Sequence, residues 1–249
     1  MNFKSIIFSI IIGSCLYGNT TDNISMFTEN YPPYNMKVDG KLTGIGIEVL
    51  AAVLKQLDSK QSIDDVTLTN WSRAYSLALK NTNTMVFSTT RTESREDLFK
   101  WVGPIVNTSV GAIALKQKNI KINSVKDFEK YKIGAVLKDV GEDSLLEIGV
   151  NSDKIQSVSG KNAIKISFLK LKNKRIDIFA YETNAAFQDA KTLGFDISKY
   201  EIVYTLKEGQ LYFAFNKNVE DKIIQKWQEA LDTIKKNGTY KKILSKYVH

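Results

Sequence analysis

The sequence has very few of the side chains on which most catalytic and metal sites depend. Its 249 residues include one cysteine, Cys15, and one histidine, the terminal His249. A disulfide within the chain is therefore excluded, and so is any Ser-His or Cys-His catalytic arrangement. Zinc sites and other histidine-dependent metal sites are excluded for the same reason.

Nucleotide-binding motifs are missing as well. Gly44 and Gly46 lack the third glycine of a dinucleotide fingerprint. Gly160-Lys161 is not a phosphate-binding loop, because the glycine required five positions earlier is replaced by Ile155. Since histidine-dependent metal sites are also excluded, the sequence predicts no cofactor.

The positive charge of the chain does not have the pattern of a nucleic-acid-binding protein. The net charge is +8 at pH 7, but the lysines alternate with acids along predicted helix faces, and no tight basic run contains aromatic residues. A solvated lysine-rich surface explains the charge, and no nucleic-acid partner is expected. The composition, 43% hydrophobic and 25% charged, is typical of one large or two small globular domains.

Long apolar runs are absent apart from one at the N-terminus. Residues 1–18 combine an early lysine, the apolar segment Ile6–Ile12 and small residues, which is typical of a secretory signal peptide. This run is too short to span a membrane. The segment Ile12–Cys15 also approximates a lipobox, in which Cys15 would be lipidated, whereas cleavage after Gly18 is the alternative. Both alternatives predict a periplasmic protein.

The stretch that follows residue 84 predicts an anion-binding site. Met85–Phe87 is a short apolar run typical of a buried strand. It leads into a polar loop that consists of Ser88, Thr89, Thr90, Arg91 and Thr92. Ser94 and Asp97 fit a helix N-terminal capping pattern, which would leave backbone N–H donors free. With Arg91 and Arg95, such a loop can hold a carboxylate, although pairing of both arginines with nearby surface acids is the alternative.

Aromatic residues follow two other predicted strands. Ile24–Phe27 runs into a loop stiffened by two prolines, in which Tyr31 can present its ring to a ligand. Val66–Leu68 predicts a further strand, and Trp71 follows its carboxyl end. In an open parallel α/β sheet, ligands bind at this edge. A core position at the start of a helix is the alternative for Trp71.

The order of the predicted elements indicates the fold class. Apolar runs and helical spacing alternate along the chain. Further strands are predicted at 110–115, 133–137, 176–180, 202–206 and 211–215, and helices at 47–57, 124–131, 162–172 and 223–234. This alternation predicts an α/β fold with largely parallel sheets.

Several motifs resemble those of one protein family, the family 3 periplasmic solute-binding proteins of amino-acid ABC transporters. The matching positions of the anion-binding stretch are Ser88, Thr90, Thr92, Arg95, Phe99, Trp101 and Pro104. The run Tyr31–Tyr34 and the motif W-x-R-A-Y at Trp71–Tyr75 are similar to other segments of that family. The resemblance covers essentially everything after residue 22.

The resemblance implies a two-lobe, type II periplasmic binding fold. Each lobe would be a mainly parallel sheet flanked by helices, and the ligand cleft would lie between the lobes, which close like a hinge. Residues 22–109 and 208–249 would form lobe 1, and residues 110–207 would form lobe 2.

The resemblance also implies roles for individual residues. Arg95 matches the T-x-x-R spacing from Thr92 and would bind the ligand carboxylate. Glu182 would receive the ligand's α-ammonium, with a helix-starting acid as the alternative. Asp139 lies where the family has a loop rich in Gly, Ser and Thr, and this departure suggests that it faces a ligand amine. The complete set of predicted ligand-binding residues is Glu29, Tyr31, Trp71, Ser88, Thr90, Arg95, Asp139 and Glu182.

The expected function is capture of a small polar solute, such as an amino acid, by a monomer that delivers it to a membrane ABC permease. One alternative is a sensory module that binds the same ligand and signals to a receptor. Another is an enzyme similar to the periplasmic cyclohexadienyl dehydratases, with Glu182 and a lysine as acid and base. Transport is preferred over the enzyme because no residue pair in the sequence demands catalysis.

Overall fold

The computed structural model describes residues 23–247, so the predicted signal peptide and Cys15 lie outside the described residues. The strands are β1 (Ser25–Thr28), β2 (Met36–Val38), β3 (Lys41–Thr43), β4 (Val66–Leu68), β5 (Thr84–Thr90), β6 (Phe99–Leu115), β7 (Ile133–Val136), β8 (Ile155–Val158), β9 (Ile178–Glu182) and β10 (Tyr200–Asn216). The α-helices are α1 (Ile45–Gln56), α2 (Trp71–Lys80), α3 (Val140–Glu147), α4 (Ala163–Lys172), α5 (Thr183–Thr192), α6 (Asp221–Lys236) and α7 (Thr239–Leu244).

Eight strands form one sheet in the order β4-β1-β5-β10-β6-β9-β7-β8, and β2 pairs separately with β3. At one end, β1 pairs in parallel with β4 and β5, and we call these three strands the first half-sheet. At the other end, β7 pairs in parallel with β8 and β9, which form the second half-sheet. The predicted α/β class with mainly parallel half-sheets is confirmed.

The two half-sheets are joined by β6 and β10, which are antiparallel to each other along their length. β10 pairs with β5 through Leu211–Phe215, and β6 pairs with β9 through Val110–Ala114. The polar residues Lys207–Gln210 interrupt the apolar pattern, which therefore predicted separate strands at 202–206 and 211–215. This prediction was wrong. The polar residues continue the ladder opposite Asn107–Val110, since backbone pairing does not depend on apolar side chains.

The parallel strands of both half-sheets end at the cleft between them. In the first half-sheet, β1 ends beside Glu29, β4 ends three residues before Trp71, and β5 ends at Thr90. In the second, β7 ends three residues before Asp139, and β9 ends at Glu182. Carboxyl strand ends are where open α/β sheets bind ligands, so the topology brings the ends of these strands to one cleft. Of the predicted ligand-binding residues, Glu29 and Trp71 line the cavity there.

The predicted C-terminal helix is confirmed as α6, which packs on β6 and β10 and against α1. Its buried positions recur at helical spacing, and they are Ile223, Trp227, Ala230, Leu231 and Ile234. The ring of Trp227 makes edge contacts with Phe213 and Phe215 at centroid distances of 5.8 and 5.0 Å. The helix ends at Lys236, just before Gly238 with its φ of 83°.

Candidate functional site

The loop after β1 forms one wall of the cleft. Tyr31 and Tyr34 are both buried, and their ring centroids lie 5.1 Å apart. The loop is held by Asn35, whose Nδ2 donates to Thr28 Oγ1 at 2.8 Å. Ser88 of β5 donates from its hydroxyl to Asn35 Oδ1, also at 2.8 Å. The Ser88 hydroxyl therefore braces this loop, a partner that the sequence did not indicate.

Arg95 is enclosed by protein groups from both half-sheets, and only 1% of its surface is exposed. Its Nε and Nη2 lie 2.8 and 2.7 Å from Oδ2 of Asp143, which belongs to α3. Nη2 also donates to the Lys138 carbonyl at 3.0 Å. The guanidinium carbon lies 5.3 Å from the Trp71 ring centroid and 5.2 Å from that of Tyr75. Arg95 was predicted to bind a ligand carboxylate, and in the structure its guanidinium is held by the Asp143 carboxylate of α3.

Arg91, four residues earlier, has a different environment. Its Nε donates to Glu96 Oε2 at 2.7 Å. The guanidinium carbon lies within 5.7 Å of the Trp101 and Tyr212 ring centroids, and 40% of the side chain is exposed. The predicted pairing of an arginine with a surface acid therefore holds for Arg91.

The segment between the two arginines was predicted to begin a helix capped by Ser94, and this was wrong. A short 3₁₀ turn spans Glu93–Leu98 and begins after Thr92, because Arg95 N already donates to Thr92 O at 3.1 Å. The Ser94 hydroxyl donates to Glu147 Oε1 at 3.0 Å, which links the loop to α3.

Trp71 connects the carboxyl ends of the two half-sheets. It is the first residue of α2, whose N-cap Asn70 accepts a hydrogen bond from Arg73 N. The indole Nε1 donates to the Lys138 carbonyl at 2.5 Å, and the neighbouring Ser72 hydroxyl donates to Leu137 O at 3.0 Å. Trp71 is buried at 4% exposure, so the predicted core position is observed, and it also lines the cleft. Its contact with a ligand stays a prediction.

Asp139 and Glu182 both cap helices at the cleft. Asp139 caps α3 by accepting from Gly141 N at 3.1 Å, and Glu182 caps α5 by accepting from Ala185 N at 2.6 Å. Oε1 of Glu182 also accepts from the Tyr34 hydroxyl at 3.1 Å. The predicted alternative of a helix-starting acid is thus observed for Glu182.

Burial shifts the ionisation of both acids. It raises the pKa of Asp139 to about 6, although the positive charge of Arg95 acts in the opposite direction. Burial also raises the pKa of Glu182, and the hydrogen bond from Ala185 N partly offsets this effect. Both carboxylates would therefore be stabilised by an additional cation.

The sequence did not point to two further acids, Asp143 and Asp189. Asp189 lies on the buried face of α5 among small residues and is 8% exposed. Burial raises its pKa to about 7. Asp189 lies one helical turn after Ala185 and Ala186, on the same buried face. Buried helix faces rarely carry an unpaired carboxylate, so this spacing in the sequence could have indicated a functional acid.

A cavity of about 620 Å³ opens between the half-sheets beside these residues. Its lining includes Glu29, Trp71, Val136, Ala163 and Asp189. Loss of hydration raises the pKa of Glu29 well above its ordinary value, and the negative charges of Asp139 and Asp189 raise it further. The size and lining are typical of a site for a small organic molecule.

Comparisons with known proteins identify the family. Residues 24–249 match the family described as bacterial extracellular solute-binding proteins, family 3, and the chain belongs to it. It is similar to a "Probable histidine-binding protein" of Campylobacter jejuni, with 28% identity over 236 residues, 92% of this chain and 86% of the relative.

Two solved structures share the fold. The arginine-, lysine-, histidine-binding protein ArtJ of Geobacillus stearothermophilus has a TM-score of 0.74 at 16% identity, covering 90% of this chain and 95% of that one. A histidine kinase sensor domain with similarity to periplasmic binding proteins has a TM-score of 0.78 at 14% identity, covering 92% and 97%. These likenesses confirm the type II periplasmic binding fold.

The described residues give two further findings. No helix in residues 23–247 has the length and apolar character needed to cross a membrane. In the same range, no group of three or more histidine, cysteine or acidic residues is arranged to hold a metal ion.

Proposed function

We propose that this protein captures an amino acid between two lobes and delivers it to a membrane ABC permease. Residues 22–109 and 208–249 would form lobe 1, and residues 110–207 would form lobe 2. One observation carries the proposal: groups beyond the carboxyl ends of both half-sheets contact each other across the cleft. The Trp71 indole donates to the Lys138 carbonyl, and the Arg95 guanidinium donates to the Asp143 carboxylate. The family membership and the histidine-binding relative support an amino acid as the ligand.

The ligand would be held at its two charged ends. Its carboxylate would bind Arg95 after displacing Asp143, which occupies the same guanidinium edge. Its ammonium would lie near Glu182 and Asp139. Burial raises the pKa of both carboxyl groups, and a nearby cation would stabilise their ionised form. The remaining proposed contacts are Glu29, Tyr31, Trp71, Ser88 and Thr90.

A thermal-shift screen of the mature protein tests the proposal. The twenty amino acids, dipeptides and small carboxylates would each be added to purified protein. A ligand at about 100 times its dissociation constant should stabilise the folded state by roughly 2.7 kcal/mol. The proposal is contradicted if no amino acid raises the melting temperature while another class of solute does.

The protein would act as a monomer in the periplasm, without catalysis and without a nucleic-acid partner. Incubation of the purified protein with prephenate and arogenate should therefore show no turnover. If Cys15 is lipidated, Cys15→Ser should move the protein from the membrane fraction to the soluble periplasm. A mature N-terminus at Asn19 would instead support cleavage after Gly18.

A further inference from the structure

Two carboxylates that line the cavity between the half-sheets have no partner among the described residues. Glu29 follows β1 and Asp189 lies on α5, so they approach the cavity from opposite half-sheets. Within residues 23–247, neither carboxylate accepts a hydrogen bond or forms an ion pair. Asp189 is 8% exposed and Glu29 is half-buried. An unpaired carboxylate as shielded from water as that of Asp189 is costly, which indicates that its partner is a molecule from outside the chain.

The Tyr181 hydroxyl is a further buried polar group without a partner among the described residues, and it lies one residue before the carboxyl end of β9. Tyr181 is 1% exposed, and its hydroxyl has no hydrogen-bond partner within residues 23–247. Its ring contacts that of Tyr31, in the loop that carries Glu29, at a centroid distance of 5.9 Å. Burial raises the pKa of Tyr181, and the negative charges of Glu29, Asp139 and Asp189 raise it further. A phenol can accept a hydrogen bond from a bound ligand while donating one to a carboxylate.

The cationic side chains nearby do not neutralise this group. Arg95 is already paired with Asp143, and it only partly offsets the raised pKa of Glu29. Lys161 and Lys165 line the cavity but are exposed, and they form no ion pair with Glu29 or Asp189. Neither lysine lowers the pKa of Asp189, which is raised by burial alone.

We propose that Glu29, Asp189 and the Tyr181 hydroxyl form a subsite for a positively charged ligand side chain, an ammonium, a guanidinium or an imidazolium. The inference rests on the proposed function and narrows it, because the ligand is then a basic amino acid. Its side-chain cation lies between carboxylates from both half-sheets, so binding also links the two halves.

Isothermal titration calorimetry at pH 8 with two ligand pairs of similar shape tests the subsite. L-arginine is compared with L-citrulline, and L-lysine with L-norleucine, which each lack the side-chain charge. In at least one pair, the affinity for the cationic member should exceed that for its neutral counterpart by about 100-fold or more. Asp189→Asn should lower the affinity for that cationic ligand by about tenfold or more. It should change the affinity for the neutral ligand by no more than about threefold. Asp153→Asn, at an exposed position of the 3₁₀ turn Ser152–Lys154, is the matched control.

The outcomes separate this inference from the proposed function. Equal binding within both pairs would overturn the cation subsite and leave amino-acid capture intact. Tight binding of agmatine, which has the guanidinium without the carboxylate, at or above the affinity of arginine would support the subsite and contradict an amino-acid ligand. Absence of binding by all of these compounds would overturn the cation subsite, whereas amino-acid capture is decided by the screen of the twenty amino acids.

A second measurement shows whether Asp189→Asn folds. Without ligand at pH 8, this variant should melt at or above the temperature of the unchanged protein, because an unpaired buried charge has been removed. A clearly lower melting temperature would mean that Asp189 is paired within the protein, which would overturn the subsite.

Discussion

Arg95 and Arg91 lie four residues apart and differ in every contact that matters for ligand binding. Arg95 is buried between aromatic rings, and its fork of N–H donors faces a carboxylate. Arg91 pairs with Glu96 at a largely hydrated position, where ion pairs contribute little. The T-x-x-R spacing of the family, counted from Thr92, favoured Arg95 over Arg91, and its contact with a ligand stays a prediction. The spacing could not indicate Asp143, which lies 48 residues away and approaches Arg95 only after folding.

We expect Arg95→Lys to weaken amino-acid binding by about 2 kcal/mol or more, because lysine keeps the charge but loses planar bidentate pairing. Arg91→Lys is the matched control and should change the affinity much less. Calorimetry with the ligand found by screening measures both variants. A larger loss for Arg91→Lys would reverse the assignment.

Glu182 has the capping role that was the alternative prediction from the sequence, and its contact with a ligand ammonium stays a prediction. It is fully buried and caps α5, and its second oxygen contacts Tyr34 from the other half of the molecule. Glutamine can keep the hydrogen bond from Ala185 N but lacks the charge. We therefore expect Glu182→Gln to lower the free energy of unfolding by only about 1 kcal/mol.

Ligand affinity should fall more than stability in Glu182→Gln, by about tenfold or more, if the carboxylate attracts the ligand ammonium. Chemical denaturation and calorimetry on the same sample give the two quantities. Asp196→Asn, which caps an exposed turn, is the control for the loss of a capping carboxylate. An unchanged affinity would leave Glu182 with a capping role only.

Strands and helices were predicted best where the pattern of apolar side chains follows their burial. The strand at Val66–Leu68 was predicted with the observed ends, and the terminal helix was predicted from its spaced apolar residues. Prediction failed at the centres of β6 and β10, where Glu208 pairs with Ser109 and both are polar. Those positions lie where the chain passes between the half-sheets, and hydrogen bonding rather than apolar packing keeps them extended.

The start of α3 contributes the carboxylate that competes with a ligand. Asp143 lies in its first turn and holds Arg95, while Glu147 at its last residue accepts from Ser94 and Lys207. We expect Asp143→Asn to raise the affinity for the amino acid by a few-fold, up to about tenfold, because the ligand carboxylate no longer displaces a paired acid.

Glu147→Gln is the control for Asp143→Asn, since it weakens the neighbouring link between the halves without touching Arg95. Calorimetry gives the affinities of both variants, and small-angle scattering without ligand shows whether the two halves separate. If Asp143→Asn binds the amino acid more weakly, Asp143 supports the closed arrangement rather than competing with the ligand carboxylate.

For the whole molecule, the sequence predicted the fold class and the gathering of strand ends, because both follow from the alternation of strands and helices. Glu29 was predicted as a ligand-binding residue from the sequence, but Asp189 was not. Glu29 and Asp189 are far apart in the chain, and no local pattern relates them to each other. Their nearness depends on the way in which the two half-sheets face each other, which is a property of tertiary structure alone.

That acidic cavity should make the stability of the unliganded protein fall as the pH rises. Burial raises the pKa of Asp139 to about 6 and that of Asp189 to about 7, both from an ordinary value of 3.8. Between about pH 4 and pH 7 the folded state therefore binds more protons than the unfolded state, so the free energy of unfolding decreases with increasing pH. When the pKa of a group differs by one between the folded and unfolded states, the free energy of unfolding changes by up to about 1.4 kcal/mol across that pH range. The lowered pKa of Asp127, about 2, acts only at more acidic pH.

Differential scanning fluorimetry between pH 5 and pH 8 measures this dependence. We expect the melting temperature without ligand to be highest near pH 5, and the stabilisation by a cationic ligand to be largest near pH 8, where the carboxylates are ionised. Asp189→Asn should flatten the unliganded profile, because asparagine does not titrate, whereas Asp153→Asn should leave it unchanged. A melting temperature that rises steadily from pH 5 to pH 8 would show that these carboxylates are stabilised as anions, and the raised pKa values would then be wrong.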